Sequence, residues 1–278
     1  MSSERELDVS VVVYRADPAE LRASLESLRH ALAAARGAGL LDRATVWLID
    51  NGSDDPVALD RLAARALGPH DDWLRLTVLR GQGNVGYGAG HDLALLRPGG
   101  AWRLILNPDV LLDPEAISEG LRFLQQHPDV GLVTPHAVDA QGERQFLCKR
   151  YPSLLVLLLR GFASRSVRRR FQALLDRYEM RDLPVHEPAT GIPIASGCFM
   201  LAREGVLRAT GGFSSRYFLY FEDFDLSLRV GRISAIAYVP SVRIVHGGGD
   251  AARKGGLHRR LFVRSALTFF TTHGWKLW

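Results

Sequence analysis

A chain of 278 residues that is 47% hydrophobic can bury the core of one large domain or two small ones. Glycine and proline are ordinary in number and dispersed, which excludes collagen-like and low-complexity architectures, and the longest apolar run, 154–159, falls far short of the ~18 residues a spanning helix needs. The net charge is +5, and the opening MSSERELDVS mixes charges without an apolar stretch, so no signal peptide is read there and a soluble cytoplasmic protein is expected.

In chain order, residues 7–14 (LDVSVVVY) are an apolar, β-branched run that predicts a buried strand. Asp17-Pro18 then opens a helix with Leu21, Leu25, Leu28 and Leu32 on one face. Residues 45–50 (TVWLID) predict a second strand, closed by Asn51-Gly52-Ser53 and followed by a short helix with Leu59, Leu62 and Ala66 inward. A third strand at 74–79 leads into the glycine-rich GQGNVGYGAG of 81–90, then a short helix at 89–96. A fourth strand at 102–106 ends in Asn107-Pro108-Asp109, with a helix at 114–126 and a strand at 130–134 beyond it. Alternating strands and helices predict an α/β fold with a mostly parallel sheet covered on both faces.

The second half differs. Residues 140–145 suit a hairpin or loop tip, and 151–180 is apolar, then basic, with helical spacing. Within it Phe171, Leu174, Leu175 and Tyr178 make one stripe and Arg165 and Arg169 lie off it. After a polar loop at 181–192, a strand is expected over 194–201 through Ala195-Ser196-Gly197. An aromatic turn (YFLYF) ends in Glu222-Asp223 and leads into a helix bearing Asp225 and Arg229. Short strands at 235–239 and 242–245 end at His246-Gly247-Gly248-Gly249, and an amphipathic helix at 257–271 closes the chain. No repeat is visible. A single domain over 1–278 is expected, with a nucleotide-binding half (1–137) and an acceptor half (138–278) that carries the basic segment 149–180.

Chemistry concentrates at the strand ends. Asp109 and Asp223 each put a carboxylate at the edge of an apolar segment, one suited to a metal–diphosphate and one to a proton, although both also fit ordinary turn or N-cap roles. Asp50, the 81–90 loop and Asp109 all fall at carboxyl ends of strands, where open α/β sheets bind ligands. Gly86, Gly88 and Gly90 are spaced G-x-G-x-G after the third strand, which does not match the dinucleotide fingerprint, and no Walker loop occurs. His246, with the glycines after it, suits Mn²⁺ or Mg²⁺ beside a carboxylate, or a plain packing role. Cys148 and Cys198 have no partner at ligand spacing and read as packed thiols.

Basic residues cluster at Lys149, Arg150, Arg160, Arg165, Arg168, Arg169, Arg170 and Arg177, and again at Arg253, Lys254, Arg259, Arg260 and Arg264. Such patches suit anionic lipid or a diphosphate-linked substrate, or are simply solvated helix faces. Nucleic acid is disfavoured because no binding module accompanies the charge.

The ordered series VVVY, VWLIDNGS, GNVGYGAG, LILNPDV, ASGCFMLARE, YFLYFEDFDLSLR and VHGGG resembles glycosyltransferase family 2 over 9–249, and within it the bacterial rhamnosyltransferases of cell-surface polysaccharide synthesis. The resemblance implies a GT-A fold: a Rossmann-like central sheet with a smaller acceptor-side β portion. It implies an inverting, metal-dependent transferase in which Asp223, with Glu222, is the catalytic base. Tyr14, Asp50, Asn51, Asn84, Gly86 and Asn107 would bind the nucleotide sugar, Asp109 and His246 the Mn²⁺ or Mg²⁺, and Ser196 and Gly197 would line the acceptor side. The implied donor is dTDP-L-rhamnose, with a UDP-sugar as alternative, and the implied acceptor is a glycan or polyprenyl-diphosphate-linked glycan at the cytoplasmic face of the inner membrane. Segment 149–177 would then touch anionic membrane, or pack in the core or a dimer interface. A catalytically silent membrane- or polysaccharide-binding module on the same fold is the rival class. Three positions depart from the family pattern: Arg15 for Asn, Asp92 for Asn, and Ser214-Ser215 for Asp-Glu.

Overall fold

The computed structural model describes residues 4–68, 71–247 and 255–278. Gly248, Gly249, Arg253 and Lys254, singled out above, lie outside the described residues. The first half runs β1 (Glu6–Val13), α1 (Pro18–Gly37), β2 (Arg43–Asp50), α2 (Pro56–Leu67), β3 (Leu74–Leu79), α3 (Tyr87–Leu95), β4 (Trp102–Leu106), β5 (Val110–Leu112), α4 (Ala116–Gln126) and β6 (Val130–Val138). The second half runs β7 (Arg144–Gln145), β8 (Cys148–Lys149), α5 (Leu154–Phe162), α6 (Arg165–Arg170), α7 (Gln172–Tyr178), β9 (Ala189–Thr190), β10 (Ile194–Ala195), β11 (Phe199–Arg203), α8 (Glu204–Thr210), α9 (Glu222–Val230), β12 (Ala235–His246) and α10 (Gly255–His273).

The main sheet has the order β3-β2-β1-β4-β11-β6-β12-β5. Its first four strands are parallel, as βαβ crossovers require; β11 enters antiparallel between β4 and β6. Alternate residues of each strand face opposite layers. Val9, Val11, Leu104 and Leu106 pack with Leu25, Leu28, Leu121 and Leu124 from α1 and α4. Ile105, Met200 and Ile236 pack on the other face with Leu226 and Val230 from α9. Asp17 starts α1 by accepting from the amides of Ala19 (2.8 Å) and Glu20 (3.0 Å). Cys148 and Cys198 are buried and unbridged, and burial pushes both thiols up to about 12.

Four sequence expectations need correction. The strand expected over 194–201 is two: β10 pairs with β8 in a separate small sheet, β11 joins the main one, and Ser196-Gly197-Cys198 breaks between them. The short strands expected at 235–239 and 242–245 are one strand, β12, with an irregularity between Val239 and Arg243 around Pro240, which has no N–H to give. Segment 151–180 is three helices, because Ser164 caps a new one through the amide of Val167 and the chain turns again at Phe171. The helix expected from residue 89 begins at Tyr87, which shortens the glycine loop.

The apolar run at 154–159 is mostly packing. Val156 and Leu159 are buried with Leu175 and Tyr178, and Leu154 and Leu157 pack against an aromatic cluster of Tyr217, Phe221, Phe269 and Phe270. Leu158 faces out.

At the opposite end of the sheet from the strand carboxyl ends lies a buried ion pair. Arg103, 1% exposed, donates from Nη1 to Asp8 Oδ2 at 2.8 Å and from Nη2 to the carbonyl of Arg97 at 2.7 Å. Asp8 also accepts from Trp47 Nε1 (2.9 Å) and the amide of Gly100 (2.8 Å), so an aspartate inside an apolar strand is fully partnered. Removing one member strands the other. Arg103→Ala is expected to lower the unfolding free energy by about 3–5 kcal/mol in a urea titration, against about 1 kcal/mol for Trp47→Phe, which deletes one neutral donor. Equal losses for the two variants would contradict this account.

Candidate active site

Four chain segments converge at the carboxyl ends of β1, β2 and β4. At the end of β1, Tyr14 is 48% exposed and its ring edge lies beside Gly52. At the end of β2, Asp50 folds its carboxylate into its own turn. Oδ1 accepts from the amides of Gly52 (3.0 Å) and Ser53 (2.7 Å), and Oδ2 accepts from Ser53 Oγ (2.8 Å) with Arg80 Nε at 3.9 Å. Burial raises its pKa, but the Ser53 and Gly52 donors and the Arg80 charge outweigh burial and hold it below the usual carboxylate range. Asn51 is 1% exposed, and its Nδ2 donates to the carbonyl of Gly86 at 2.8 Å. Both residues, expected to touch a nucleotide, also shape the β2 turn and the glycine loop.

The loop is tied to the second half of the chain. Asn84 Oδ1 accepts from the amide of Gly86 at 3.1 Å, and the amide of Tyr87 donates to the carbonyl of Phe218 at 3.0 Å. Gly86 has φ +90°, and a Cβ there would lie 2.3 Å from that Phe218 carbonyl oxygen. The Tyr87 hydroxyl then reaches the break between β10 and β11, donating to the carbonyl of Gly197 at 2.7 Å. The amide of the same Gly197 donates to Asp223 Oδ2 at 3.0 Å. A Cβ on Gly197 would meet Tyr87 Cε1 at 3.2 Å and Asp223 Cβ at 3.3 Å. Ser196 sits half-buried beside it, its Oγ accepting from the amide of Cys198 at 3.4 Å.

Asp223 and Glu222 open α9, where a helix N-terminus favours negative charge. Asp223 accepts a second amide, from Phe224 at 2.9 Å, so each oxygen has a donor. Glu222 is 5% exposed and its Oε2 has no partner among the described residues. Burial raises both pKa values, and the Asp223 charge pushes Glu222 further, well above the carboxylate range. The donors on Asp223 stabilise its charged form, which favours the proton on Glu222 over Asp223. Before them, Tyr220 (φ +69°) and Phe221 (φ +64°) both occupy the left-handed region, a conformation worth about 1–3 kcal/mol of strain per residue. It is held by α10: Ser265 Oγ donates to the carbonyl of Leu219 at 2.7 Å, and Tyr220 Oη lies 2.9 Å from His258 Nδ1.

At the end of β4, Asn107 donates its amide to the carbonyl of Cys198 at 2.9 Å. Asp109 Oδ2 lies 3.7 Å from His246 Nε2, while its Oδ1 is buried without a hydrogen-bond partner among the described residues. Burial lowers the His246 pKa against the opposing charge of Asp109, which keeps the ring neutral near pH 7. A neutral imidazole beside a carboxylate with a free lone pair fits Mn²⁺ or Mg²⁺. No group of three or more His, Cys, Asp or Glu is set to hold a metal among the described residues, so substrate oxygens or water would complete such a shell.

Sequence reasoning missed Tyr87, whose contact spans 110 positions, and the second layer behind Asp223. There Asp225 accepts from Arg229 Nε and His273 Nε2, both at 2.8 Å, bolting α9 to α10. The three departures have local accounts in part. Asp92 Oδ1 accepts from the amide of Phe213 at 2.9 Å; its pKa is pushed up to about 6 by burial, so it braces the loop before the aromatic turn. Arg15 (φ +48°) lies 3.8 Å from Asp54, and nothing in the structure explains Ser214-Ser215.

The contact at Gly86 gives a test of this convergence. Gly86→Ala is expected to lose about 1–3 kcal/mol in urea unfolding, because the loop must leave Phe218. Gly205→Ala, inside α8 with open space around its Cβ, is expected to be neutral or stabilising by up to about 1 kcal/mol. Similar effects for the two would show that the loop does not depend on this approach.

The model of the family described as "Glycosyltransferase like family 2" matches residues 7–264. The N-acetylglucosaminyl-diphospho-decaprenol L-rhamnosyltransferases of two Mycobacterium tuberculosis strains are each 28% identical over 240 residues, covering 79% of this chain and 73% of theirs. Among solved structures, S. aureus TarS 1-349 aligns with a TM-score of 0.53 at 15% identity, over 87% of this chain and 60% of that one. The same fragment in complex with UDP gives 0.54 at 14% identity, over 95% of this chain and 65% of that one, and it is also known in complex with UDP-GlcNAc. GalNAc-T7 with UDP, GalNAc and Mn²⁺ gives 0.60 at 13% identity, over 90% of this chain and 46% of that one. The chain thus spans less than two thirds of each of these solved chains. The family match runs through most of the sequence, and the fold is shared with these neighbours: the chain belongs to glycosyltransferase-like family 2 and has the GT-A fold.

Proposed function

We propose that this glycosyltransferase moves a sugar from a nucleoside diphosphate to an acceptor hydroxyl in one inverting displacement, with Asp223 as general base. The observation that carries the reading is the pair of adjacent carboxyls at the start of α9: half-buried Asp223 has an amide donor on each oxygen, while buried Glu222 has an Oε2 with no partner among the described residues. A raised pKa makes Asp223 a better proton acceptor than a free aspartate near ~3.9. Neutral Glu222 spares it a like charge at close range. Asp223 takes the acceptor's proton as its oxygen attacks the anomeric carbon from the face opposite the leaving diphosphate. Tyr87 and Gly197 are positioning residues that fix the base against the donor loop.

The donor side is built from Tyr14, Asp50, Asn51, Asn84, Gly86 and Asn107. Tyr14 offers an exposed ring to a base, Asp50, Asn51 and Asn84 hold the turns, and Gly86 opens α3, whose N-terminus would face the diphosphate. Asn107 sits on the strand that carries Asp109 into the site. Asp109 and His246 would hold Mn²⁺ or Mg²⁺, which when bound neutralises the departing diphosphate. Ser196 and Gly197 line the acceptor side.

The names of the two mycobacterial relatives support L-rhamnose, carried as dTDP-L-rhamnose, as the sugar and a polyprenyl-diphosphate-linked glycan as the acceptor. That acceptor would set the reaction at the cytoplasmic face of the inner membrane. A UDP-sugar is the second reading, favoured by the UDP and UDP-GlcNAc complexes among the structural neighbours. A silent binding module is disfavoured by the intact Asp109–His246 and Glu222–Asp223 pairs.

Calorimetry with a panel of nucleotide sugars, with and without Mn²⁺, tests donor and metal together. dTDP-L-rhamnose is expected to bind tightest, with affinity that depends on the metal in wild type and loses that dependence in Asp109→Ala. Tighter binding of a UDP-sugar would overturn the donor assignment. Asp223→Asn is expected to bind donor as wild type does and to transfer about 10²–10⁴-fold more slowly; wild-type turnover would remove Asp223 from the base role.

A further inference from the structure

We propose that α5, α6, α10 and residues 274–278 form one face that lies on an anionic lipid bilayer, immersed at the interface without crossing. The inference rests on the reading of a lipid-linked acceptor and names the surface that would bring the enzyme to it.

Charge is the first observation. Residues 151–175 and 255–278 contain no Asp or Glu and nine Lys or Arg, while the whole chain carries only +5, so the remainder is net negative. Arg165, Arg169, Arg170, Arg260 and Arg264 are all exposed. Arg160 faces Glu179 at 3.7 Å, and Arg168 is turned back onto the carbonyls of Leu159 and Arg160.

Exposed apolar side chains are the second. Of sixteen large hydrophobic residues that are exposed among the described residues, nine fall in these two stretches, which make up under a fifth of the chain. Phe162 is 74% and Trp278 79% exposed, and Leu158, Leu267, Trp275 and Leu277 are each about half exposed. Continuity is the third. The amides of Leu154 and Leu155 at the start of α5 donate to the carbonyls of Lys276 (2.8 Å) and Leu277 (3.1 Å). Trp275 stacks on Phe270 of α10 with ring centres 5.3 Å apart, and Leu154 and Leu157 of α5 share that helix's aromatic cluster. The three segments are therefore packed side by side.

A bilayer of anionic lipid satisfies both kinds of group at once: arginines meet phosphate headgroups, tryptophans sit at headgroup depth, and Leu and Phe enter the acyl boundary. A second copy of this face would oppose like charges, and a nucleic acid would leave the leucines and Phe162 in water. No described helix is long and apolar enough to cross a membrane. The face also has a structural line to the chemistry. α10 holds the strained turn before Asp223 through Ser265 and reaches Asp225 through His273. A bilayer that fixes α10 therefore fixes the orientation of α9 and its base.

Co-sedimentation of the full chain with phosphatidylglycerol–phosphatidylethanolamine vesicles, free of polyprenyl lipid, tests this. Wild type is expected to bind at low salt, to bind phosphatidylcholine vesicles at least about tenfold more weakly, and to be released at high salt. The double variants F162S/W278S and R260E/R264E are each expected to lose about tenfold or more in vesicle affinity while turning over a water-soluble acceptor as wild type does. Absence of wild-type binding, wild-type binding by both variants, or a dimer in ultracentrifugation that F162S/W278S dissociates would overturn the proposal. Vesicle binding without transfer to any lipid-linked glycan would keep this face and discard the acceptor reading.

Discussion

One glycine residue holds the site together. Gly197 receives the Tyr87 hydroxyl on its carbonyl and gives its amide to Asp223, so the glycine loop and α9 meet across a single residue. Any side chain there would press on both partners. The consequence runs into the fold: the chain cannot satisfy these two contacts and also continue as a strand, so β10 and β11 separate and join different sheets. The polar groups that leave the ladder become the groups that set the geometry of the site.

Around this junction the fold works as a vice. The parallel strands β1, β2 and β4 bring Tyr14, Asp50 and Asp109 to one edge, and β12 returns from the second half to set His246 opposite Val110, next to Asp109. α10 presses from the other side. Its Phe269 and Phe270 fill the aromatic cluster under the left-handed Tyr220–Phe221 turn, and its His273 closes the buried Asp225–Arg229 pair. A strained turn and the buried Glu222 beside Asp223 both cost stability, and they persist because packing and ion pairing behind them leave no cheaper arrangement.

Much of this was legible in the sequence. Short apolar runs marked β1 to β4, and the 3.6-residue period with Asp17 as cap marked α1, because these depend on local pattern and capping. Asp109 and Asp223 stood out because a carboxylate at the end of an apolar run is conspicuous. What was not legible depends on distant partners. Residues 194–201 read as one largely apolar run through a small-residue centre, and the break at Gly197 is where Tyr87 and Asp223 bond to it from 110 and 26 positions away. Likewise the bond from Asn51 to the Gly86 carbonyl joins residues 35 positions apart, which no local pattern announces. The three-residue β5 is too short to carry a pattern and forms because β12 offers it an edge.

The central claim is that two neighbouring carboxyls differ in charge, Asp223 ionised and Glu222 protonated, because Glu222 is buried and Asp223, half-buried, has an amide on each oxygen. The most direct test is the transfer rate of Glu222→Gln at saturating donor and acceptor. Glutamine is close in shape to protonated glutamic acid, so the account predicts a rate within about tenfold of wild type. A loss as deep as the ~10²–10⁴-fold expected on removing a general base would show that Glu222 carries the charge and that the assignment is reversed.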